Sequence, residues 1–346
     1  MKKIGIVGHF GGTEAFFDGQ TVKTKNSYRA LCDNFGEDNI SVLDTYYFRK
    51  APINFLLQSI RIFFSCKNIV ILPDANGIRV FIPMYSLFKF ITNKNIQYNV
   101  IGGWLPEFFK KHRLVKLFAK RFDAIYVETS SMKEALEEQG FSKIFILPNF
   151  KYLPALKNEE LVLYKEKPFK LCIFSRIMAE KGIEDAINIV SEINSESKET
   201  VFTLDLFGPI DEGYETRFNE LNASFPEFIN YKGIVPSEKS VEVVKDYFAL
   251  LFPTRFYTEG VPGTLIDAMA AGVPVISSLW VNYKDVFIEG ITGWGYEFEN
   301  INQFKQLLLK AAEEPDEFLR MKETALEQAK KYEPSVAISE LIQRID

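Results

Sequence analysis

The chain has 346 residues, 47% of them hydrophobic and 25% charged, with a formal net charge of −5. The length suggests two domains, and the composition is that of a globular chain rather than a disordered or fibrous one. The negative total, without any recognised nucleic-acid motif, argues against nucleic acid as a partner.

The charge is divided unevenly. Residues 1–150 hold 20 Lys/Arg against 13 Asp/Glu, a net of +7, whereas residues 151–346 hold 21 against 33, a net of −12. Such a split supports two modules and gives the first an affinity for anionic surfaces. Cys32, Cys66 and Cys172 are odd in number, scattered and without metal-ligand spacing, so they read as reduced thiols of a cytoplasmic protein. Met-Lys-Lys runs straight into Ile4-Gly-Ile-Val-Gly8, too short for a secretory signal core. The apolar stretches 53–64 and 78–91 are interrupted by Gln58, Arg61, Arg79 and Lys89, which argues against membrane spans.

In chain order, short apolar strands alternate with helical patterns, the mark of parallel α/β layers. Strands are expected near 3–8, 40–44, 68–72, 97–101, 123–127 and 143–147. Pro148-Asn149 breaks the pattern, and a Lys/Glu-rich connector runs to about Lys167. The alternation restarts at Phe169–Phe174, with further strands near 201–207, 228–232, 248–252 and 273–276. The tail from Ile301 is helical, broken at Pro315 and Pro334. Two doubly wound domains would bind a ligand at the carboxyl ends of their strands.

Several loops fall at such ends. Gly8-His9-Phe-Gly11-Gly12 follows the first strand, but the spacing fails the dinucleotide fingerprint. A tight turn and a ligand site both explain it. Ile101-Gly-Gly103-Trp104 follows the fourth, where close backbone packing is the plain alternative. A single helix is expected from about Glu107 to Phe122. Phe108, Leu114, Val115, Phe118 and Phe122 would be its buried face, with Arg113, Lys116 and Lys120 in line on another, Phe109 among them. That basic face is either solvated or a peripheral contact with anionic lipid headgroups.

In the second half, Arg176 and Lys181 lie five apart across a strand-to-helix turn, and both could reach one diphosphate. Phe207-Gly-Pro209 and Tyr231-Lys-Gly-Ile234 each follow a strand, and the second could offer backbone groups to a nucleobase. The stretch around which everything is arranged is Glu259-Gly260-Val261-Pro262-Gly263-Thr264-Leu265-Ile-Asp267, after the strand at 248–252. A helix opening near Gly263 and stopping at Gly272 would turn its free N–H groups and positive dipole end toward an anion. An ordinary βαβ turn is the alternative. Two acids bracketing an anion-ready turn favour a ligand with both phosphates and hydroxyls.

Ser175-Arg176 through Lys181-Gly182, Gly208-Pro209, Lys232-Gly233, and Pro253-Thr254 with Glu259-Gly260 through Pro274-Val275 resemble, in order, the motifs of retaining glycosyltransferase family 4, the glycosyl transferases group 1. The resemblance implies an α/β chain of GT-B fold: two Rossmann-like domains facing each other across a cleft. Residues 1–150 would bind the acceptor and 151–332 the nucleotide sugar, with a final helix at 333–346 crossing back to the first domain.

By the same resemblance, Arg176 and Lys181 would hold the donor diphosphate and Glu259 the hydroxyls of the transferred sugar. Backbone groups from Gly260 to Leu265 would contact sugar and phosphate, with Gly11, Gly12 and Ile234 also on the donor. Asp267 stands where the family usually has a Glu that bonds the ribose. Many members carry a His after the fourth strand, where this chain has Gly102-Gly103. His9 is a substitute by position, or a loop histidine with no such part. His9, Gly103, Trp104 and the Arg113/Lys116/Lys120 face would lie on the acceptor and membrane side.

Transfer would proceed by same-face attack, the leaving diphosphate taking the nucleophile's proton while the cations and helix terminus stabilise it. No Asp-x-Asp motif occurs, so no metal or other cofactor is expected. The expected partners are a nucleotide-sugar donor, a UDP-sugar on frequency alone, and a saccharide or lipid-linked oligosaccharide of bacterial surface polysaccharide synthesis as acceptor. The alternatives are a catalytically lapsed sugar-nucleotide-binding subunit and a nucleotide-sugar epimerase on the same fold.

Overall fold

The computed structural model describes residues 2–13, 19–163 and 166–345. They divide into two units, one formed by 1–151 with 332–346 and the other by 152–331. Each is built on a six-stranded parallel sheet.

In the first unit the strands are β1 (Lys2–Gly8), β2 (Ile40–Asp44), β3 (Cys66–Leu72), β4 (Asn95–Asn99), β5 (Ala124–Val127) and β6 (Ile144–Ile146). They lie in the order β2-β1-β3-β4-β5-β6. The helices between them are α1 (Gly19–Phe35), α2 (Pro52–Ser65), α3 (Ile78–Phe90), α4 (Leu105–Lys111), α5 (Arg113–Ala119) and α6 (Ser130–Glu138). The chain steps one way from β1 to β2 and the other way from β3 onward. Right-handed crossovers therefore put α1 on one face and α2 to α6 on the other. Ile69, Ile71, Phe63, Tyr85 and Tyr98 are among the residues of the core under the α2–α6 layer.

In the second unit β7 (Phe169–Phe174), β8 (Phe202–Phe207), β9 (Ile229–Gly233), β10 (Ala249–Phe252), β11 (Val275–Leu279) and β12 (Gly293–Glu297) are ordered β12-β11-β10-β7-β8-β9. The helices are α7 (Ile183–Ser197), α8 (Glu215–Asn222), α9 (Ser240–Val244), α10 (Gly263–Ala270), α11 (Ile301–Glu313), α12 (Pro315–Leu319) and α13 (Met321–Ala329). Two short helices, α14 (Pro334–Ala337) and α15 (Ser339–Ile345), return to the first unit. There Asn68 Nδ2 donates to the Ile345 carbonyl at 3.2 Å, and Asn95 Nδ2 and Gln97 Nε2 donate to that of Arg344 at 3.0 and 3.2 Å.

The order of strands decides where a ligand can sit. In the second sheet the chain moves outward from β7 through β8 to β9, then restarts at β10 and moves the opposite way. Neighbouring loops at the carboxyl ends of β7 and β10 thus diverge to opposite faces and leave a crevice between them. In the first sheet the corresponding place is between β1 and β3.

Two expectations are corrected. The single helix over 107–122 is two helices broken at His112, whose φ of −119° and ψ of 70° are not helical. The break turns Phe109 inward to stack on Phe141 at 5.2 Å, while Leu114, expected in the buried face, turns out and is 68% exposed. The strand β12 has no counterpart in the sequence reading. Its Gly-Trp-Gly start shows no alternation, and the backbone of Val275 on β11 leaves no room for a Cβ at Gly293.

Candidate functional site

The loops after β7 and β10 bring Lys181 and Glu259 together. They are 78 positions apart in sequence, yet Lys181 Nζ donates to Glu259 Oε1 in a largely buried ion pair. Two glycines make the approach feasible. Gly182 has φ +68°, and a Cβ there would lie 1.9 Å from the Pro253 carbonyl oxygen. Gly208, at the end of β8, would place one 1.9 Å from the Ser175 carbonyl oxygen. Neither loop could close down with a side chain at these positions.

Each partner is held from behind. Thr254 Oγ1 donates to Glu259 Oε1 at 3.2 Å and accepts the Phe256 amide at 3.1 Å. Ser278 Oγ donates to the Thr254 carbonyl at 2.7 Å, and Asn282 Nδ2 to that of Glu259 at 2.6 Å. Arg255 forks onto Asp185 at 2.7 and 2.9 Å, pinning the β10 loop to α7. Lys181 Nζ lies 5.0 Å from the Phe256 ring centroid and 5.7 Å from that of Phe252, an aromatic setting that favours a cation.

Beyond Glu259 the loop enters α10. Its N-cap is Pro262, and no side chain caps the helix. Thr264 Oγ1, in the first turn, is buried and finds no hydrogen-bond partner among the described residues. An uncapped helix start beside a lysine and an orphan hydroxyl is suited to an anion that brings several oxygens.

Arg176 does not join this pair. Its Nη1 is 3.5 Å from Asp211 Oδ2, on the loop after β8. That loop is joined to its own: Ile177 N donates to the Pro209 carbonyl and Asp211 N to that of Ile177. Ile234, just past β9, is 48% exposed. Asp267 is 1% exposed and accepts Ser240 Oγ at 2.8 Å, which ties α10 to α9.

In the first unit, Phe10 N and Gly12 N donate to the two carboxylate oxygens of Asp44 at 2.9 and 2.8 Å, so the loop holding Gly11 and Gly12 is anchored to the end of β2. His9 Nδ1 is 2.8 Å from Thr21 Oγ1. Trp104 Nε1 donates to the Ile101 carbonyl at 2.8 Å, and Gly103 beside it is buried. Burial, then the charges of Lys120 and Arg113, lower the Lys116 pKa.

Under this loop lies a pair that sequence reasoning did not single out. Lys23 and Glu128 are 1% and 4% exposed, with Lys23 Nζ 2.6 Å from Glu128 Oε1 and 2.8 Å from the Val100 carbonyl. Gly102 N donates to the same carboxylate oxygen at 3.1 Å. Burial lowers the Lys23 pKa, against the opposing pull of Glu128. A signal existed for Glu128: like Glu259, it is an acid shortly beyond a fully buried strand. Asp44 is likewise an acid at a strand's carboxyl end, though its strand β2 is only partly buried.

Among the described residues no group of three His, Cys, Asp or Glu side chains is placed to hold a metal ion, and no helix is long and apolar enough to cross a membrane.

Residues 157–328 match the family described as glycosyl transferases group 1. The chain is 22% identical over 285 residues to an uncharacterized glycosyltransferase of Methanocaldococcus jannaschii, covering 80% of this chain and 66% of that one. It is 24% identical over 131 residues to a glycosyltransferase named for colanic acid biosynthesis, WcaL of Salmonella typhimurium, covering 37% and 32%. The matched stretches thus span from about a third to just under two thirds of these relatives' lengths. The crystal structure of Anabaena HepE in complex with UDP is similar over 99% of both chains, with a TM-score of 0.75 at 13% identity. At that identity the likeness speaks for the fold. The chain therefore has the GT-B fold, and its residues 157–328 are similar to the glycosyl transferases group 1.

Proposed function

We propose that the protein is a retaining glycosyltransferase that moves a sugar from a UDP-sugar to a hydroxyl of a saccharide acceptor, lipid-linked and part of bacterial surface polysaccharide synthesis. The observation that carries the reading is the Lys181–Glu259 pair at the switch point of the second sheet, beside the uncapped start of α10. The site supplies for itself, as an ion pair, the two groups that a sugar diphosphate needs separately.

Binding would exchange partners. The diphosphate takes Lys181 and the first turn of α10, with Thr264 Oγ1 as a further donor, and Glu259 is released to accept sugar hydroxyls. Arg176 would leave the weak surface contact with Asp211 to add a second cation. As the glycosidic bond to the diphosphate breaks, negative charge grows on the leaving oxygen. Lys181 and the α10 amides stabilise it, and that oxygen takes the proton of the attacking hydroxyl on the same face. These cations make a metal unnecessary in this scheme. Ile234 and the loop after β9 would flank the base. Asp267, buried against Ser240, would hold α10 to α9 and so position the site rather than bond the ribose itself.

The donor class is supported by HepE, whose structure holds UDP, and the polysaccharide role by WcaL, named for colanic acid biosynthesis. The first unit would take the acceptor near His9 and Gly103-Trp104. Its Arg113, Lys116 and Lys120 face would make a peripheral contact with an anionic membrane.

The test is titration calorimetry with UDP and a panel of UDP-sugars, followed by a transfer and hydrolysis assay. Lys181→Ala is expected to lower turnover roughly 100- to 1,000-fold with the fold intact, the scale of losing one transition-state donor. Turnover that survives the substitution would refute the diphosphate role. Tight UDP binding with neither transfer nor hydrolysis would identify a lapsed subunit instead.

A further inference from the structure

Three helices of the first unit are apolar on both sides. On α2, Phe55, Ile62 and Phe63 face the core, yet Ile53, Leu57 and Phe64 form a second stripe that is open, Ile53 being 77% exposed. On α3, Ile78, Ile82 and Tyr85 are buried, while Val80, Leu87 and Phe90, with Ile91 at the C-cap, are exposed, Phe90 by 77%. On α5, Leu114 and Leu117 point outward three positions apart. The spacings of four, seven and eleven within the α2 and α3 stripes put each on one helical face. The helices are also neighbours. Phe63 on α2 packs against Tyr85 and Phe88 on α3, and α3 lies along α5. An amphipathic surface helix has one apolar stripe, and a soluble monomer rarely exposes apolar patches that run on from helix to helix.

The polar groups interleaved with these stripes have one sign. Between Pro52 and Phe122 there are 11 Lys/Arg and 2 Asp/Glu, and α2, α3 and α5 contain no acid. Of the two acids, Glu107 pairs with Lys110 at 2.5 Å and Asp74 accepts the Gly77 amide at the start of α3. Arg61 is exposed on α2 between Leu57 and Phe64. The Arg121 guanidinium lies 5.4 Å from the Phe90 ring centroid, a cation seated beside one of the most exposed aromatic rings.

We infer that the outer face of α2, α3 and α5 is a membrane-docking surface, whose apolar stripes enter the headgroup boundary of an anionic bilayer while Arg61, Arg121 and their neighbours hold the lipid phosphates. This deepens the membrane part of the proposed function and moves its centre from the basic side chains of α5 to the apolar stripes of three helices. It does not depend on the donor chemistry. Apolar area and cations act together in interfacial helices of this kind. A second copy of the chain is the poorer occupant, because a two-fold contact would set a face that holds Arg61 and Arg121, and whose helices contain no acid, against its own like charges.

The experiment is flotation of the full chain with vesicles of phosphatidylcholine alone and with about a third phosphatidylglycerol, in the range where surface charge controls binding. The wild type should float with the anionic vesicles. Leu87→Gln/Phe90→Gln/Leu117→Gln should lose at least about tenfold in partitioning, and Arg61→Glu/Arg121→Glu should lose the preference for anionic lipid. Both variants should keep the wild-type melting temperature and UDP affinity, so failure here and failure of the donor reading are separable. Equal binding by the triple variant, or a wild type that ignores anionic vesicles, overturns the inference. So does a concentration-dependent dimer that the triple variant abolishes, since the patch would then belong to a second copy.

Discussion

The side chain with the most at stake in the first unit is Lys23. A lysine this buried has lost its hydration and recovers through one carboxylate and one carbonyl. Replacing only one member leaves a buried charge without its counterpart, so Glu128→Leu should cost about 3–5 kcal/mol. The double variant Lys23→Met/Glu128→Leu should recover most of that loss, because two apolar groups need no partner. Urea unfolding of the two singles and the double gives the coupling directly; additive losses would mean that the pair is not a unit. The same carboxylate oxygen receives the Gly102 amide, so the pair also shapes the loop after β4. Lys181 and Glu259 are the contrasting case. Their side chains are 18% and 16% exposed, so this pair keeps some contact with solvent where Lys23–Glu128 has almost none.

At the level of elements, the second unit shows how helices are locked behind the site. On α13, Lys322 is buried and its Nζ donates to the Gly272 carbonyl at 3.1 Å, at the end of α10. Burial lowers its pKa from 10.5 to about 8, against a weaker opposing effect of Asp246. Above about pH 8 the unfolded chain therefore holds more protons than the folded one, and stability rises with pH at up to about 1.4 kcal/mol per unit. The contribution is complete above pH 10.5 and is lost as the pH falls through about 8. Measured against Lys322→Met, the wild type should gain stability between pH 8 and 10. Parallel stability–pH curves for the two proteins would rule this out.

At the level of the whole chain, the last residues belong to the first unit although they follow the second in sequence. Leu341 and Ile345 are buried, and the Arg344 and Ile345 carbonyls accept the side-chain amides of Asn68, Asn95 and Gln97. Deleting residues 332–346 removes these acceptors, leaving Asn68 Nδ2 only the Lys3 carbonyl and Asn95 Nδ2 only Asn68 Oδ1, and uncovers the surface that Leu341 and Ile345 shield. Hydrogen exchange should then show lost protection in β3 and β4, with β7, β8 and β10 unaffected. Unchanged protection in β3 and β4 would show that the tail is dispensable to the first sheet.

Eleven of the twelve strands among the described residues are legible in the sequence, because most are short apolar or β-prone runs bounded by polar turns, and the central ones are covered on both faces. The loops at the strand ends are legible for a related reason: Gly, Pro and charge there interrupt an otherwise apolar rhythm, so Lys181, Glu259 and the start of α10 stand out. What the sequence could not decide is which side of a helix meets the core. Leu114 and Phe109 fit the same helical wheel either way, and the break at His112 settled it. Nor could it pair Lys181 with Glu259, Lys23 with Glu128, or Arg176 with Asp211. Those pairs join residues 35 to 105 positions apart, and only the order in which parallel strands lie side by side brings their loops within reach. Local pattern fixes the elements because burial acts on each one by itself. The pairing of charges follows from topology, which no single stretch of chain contains.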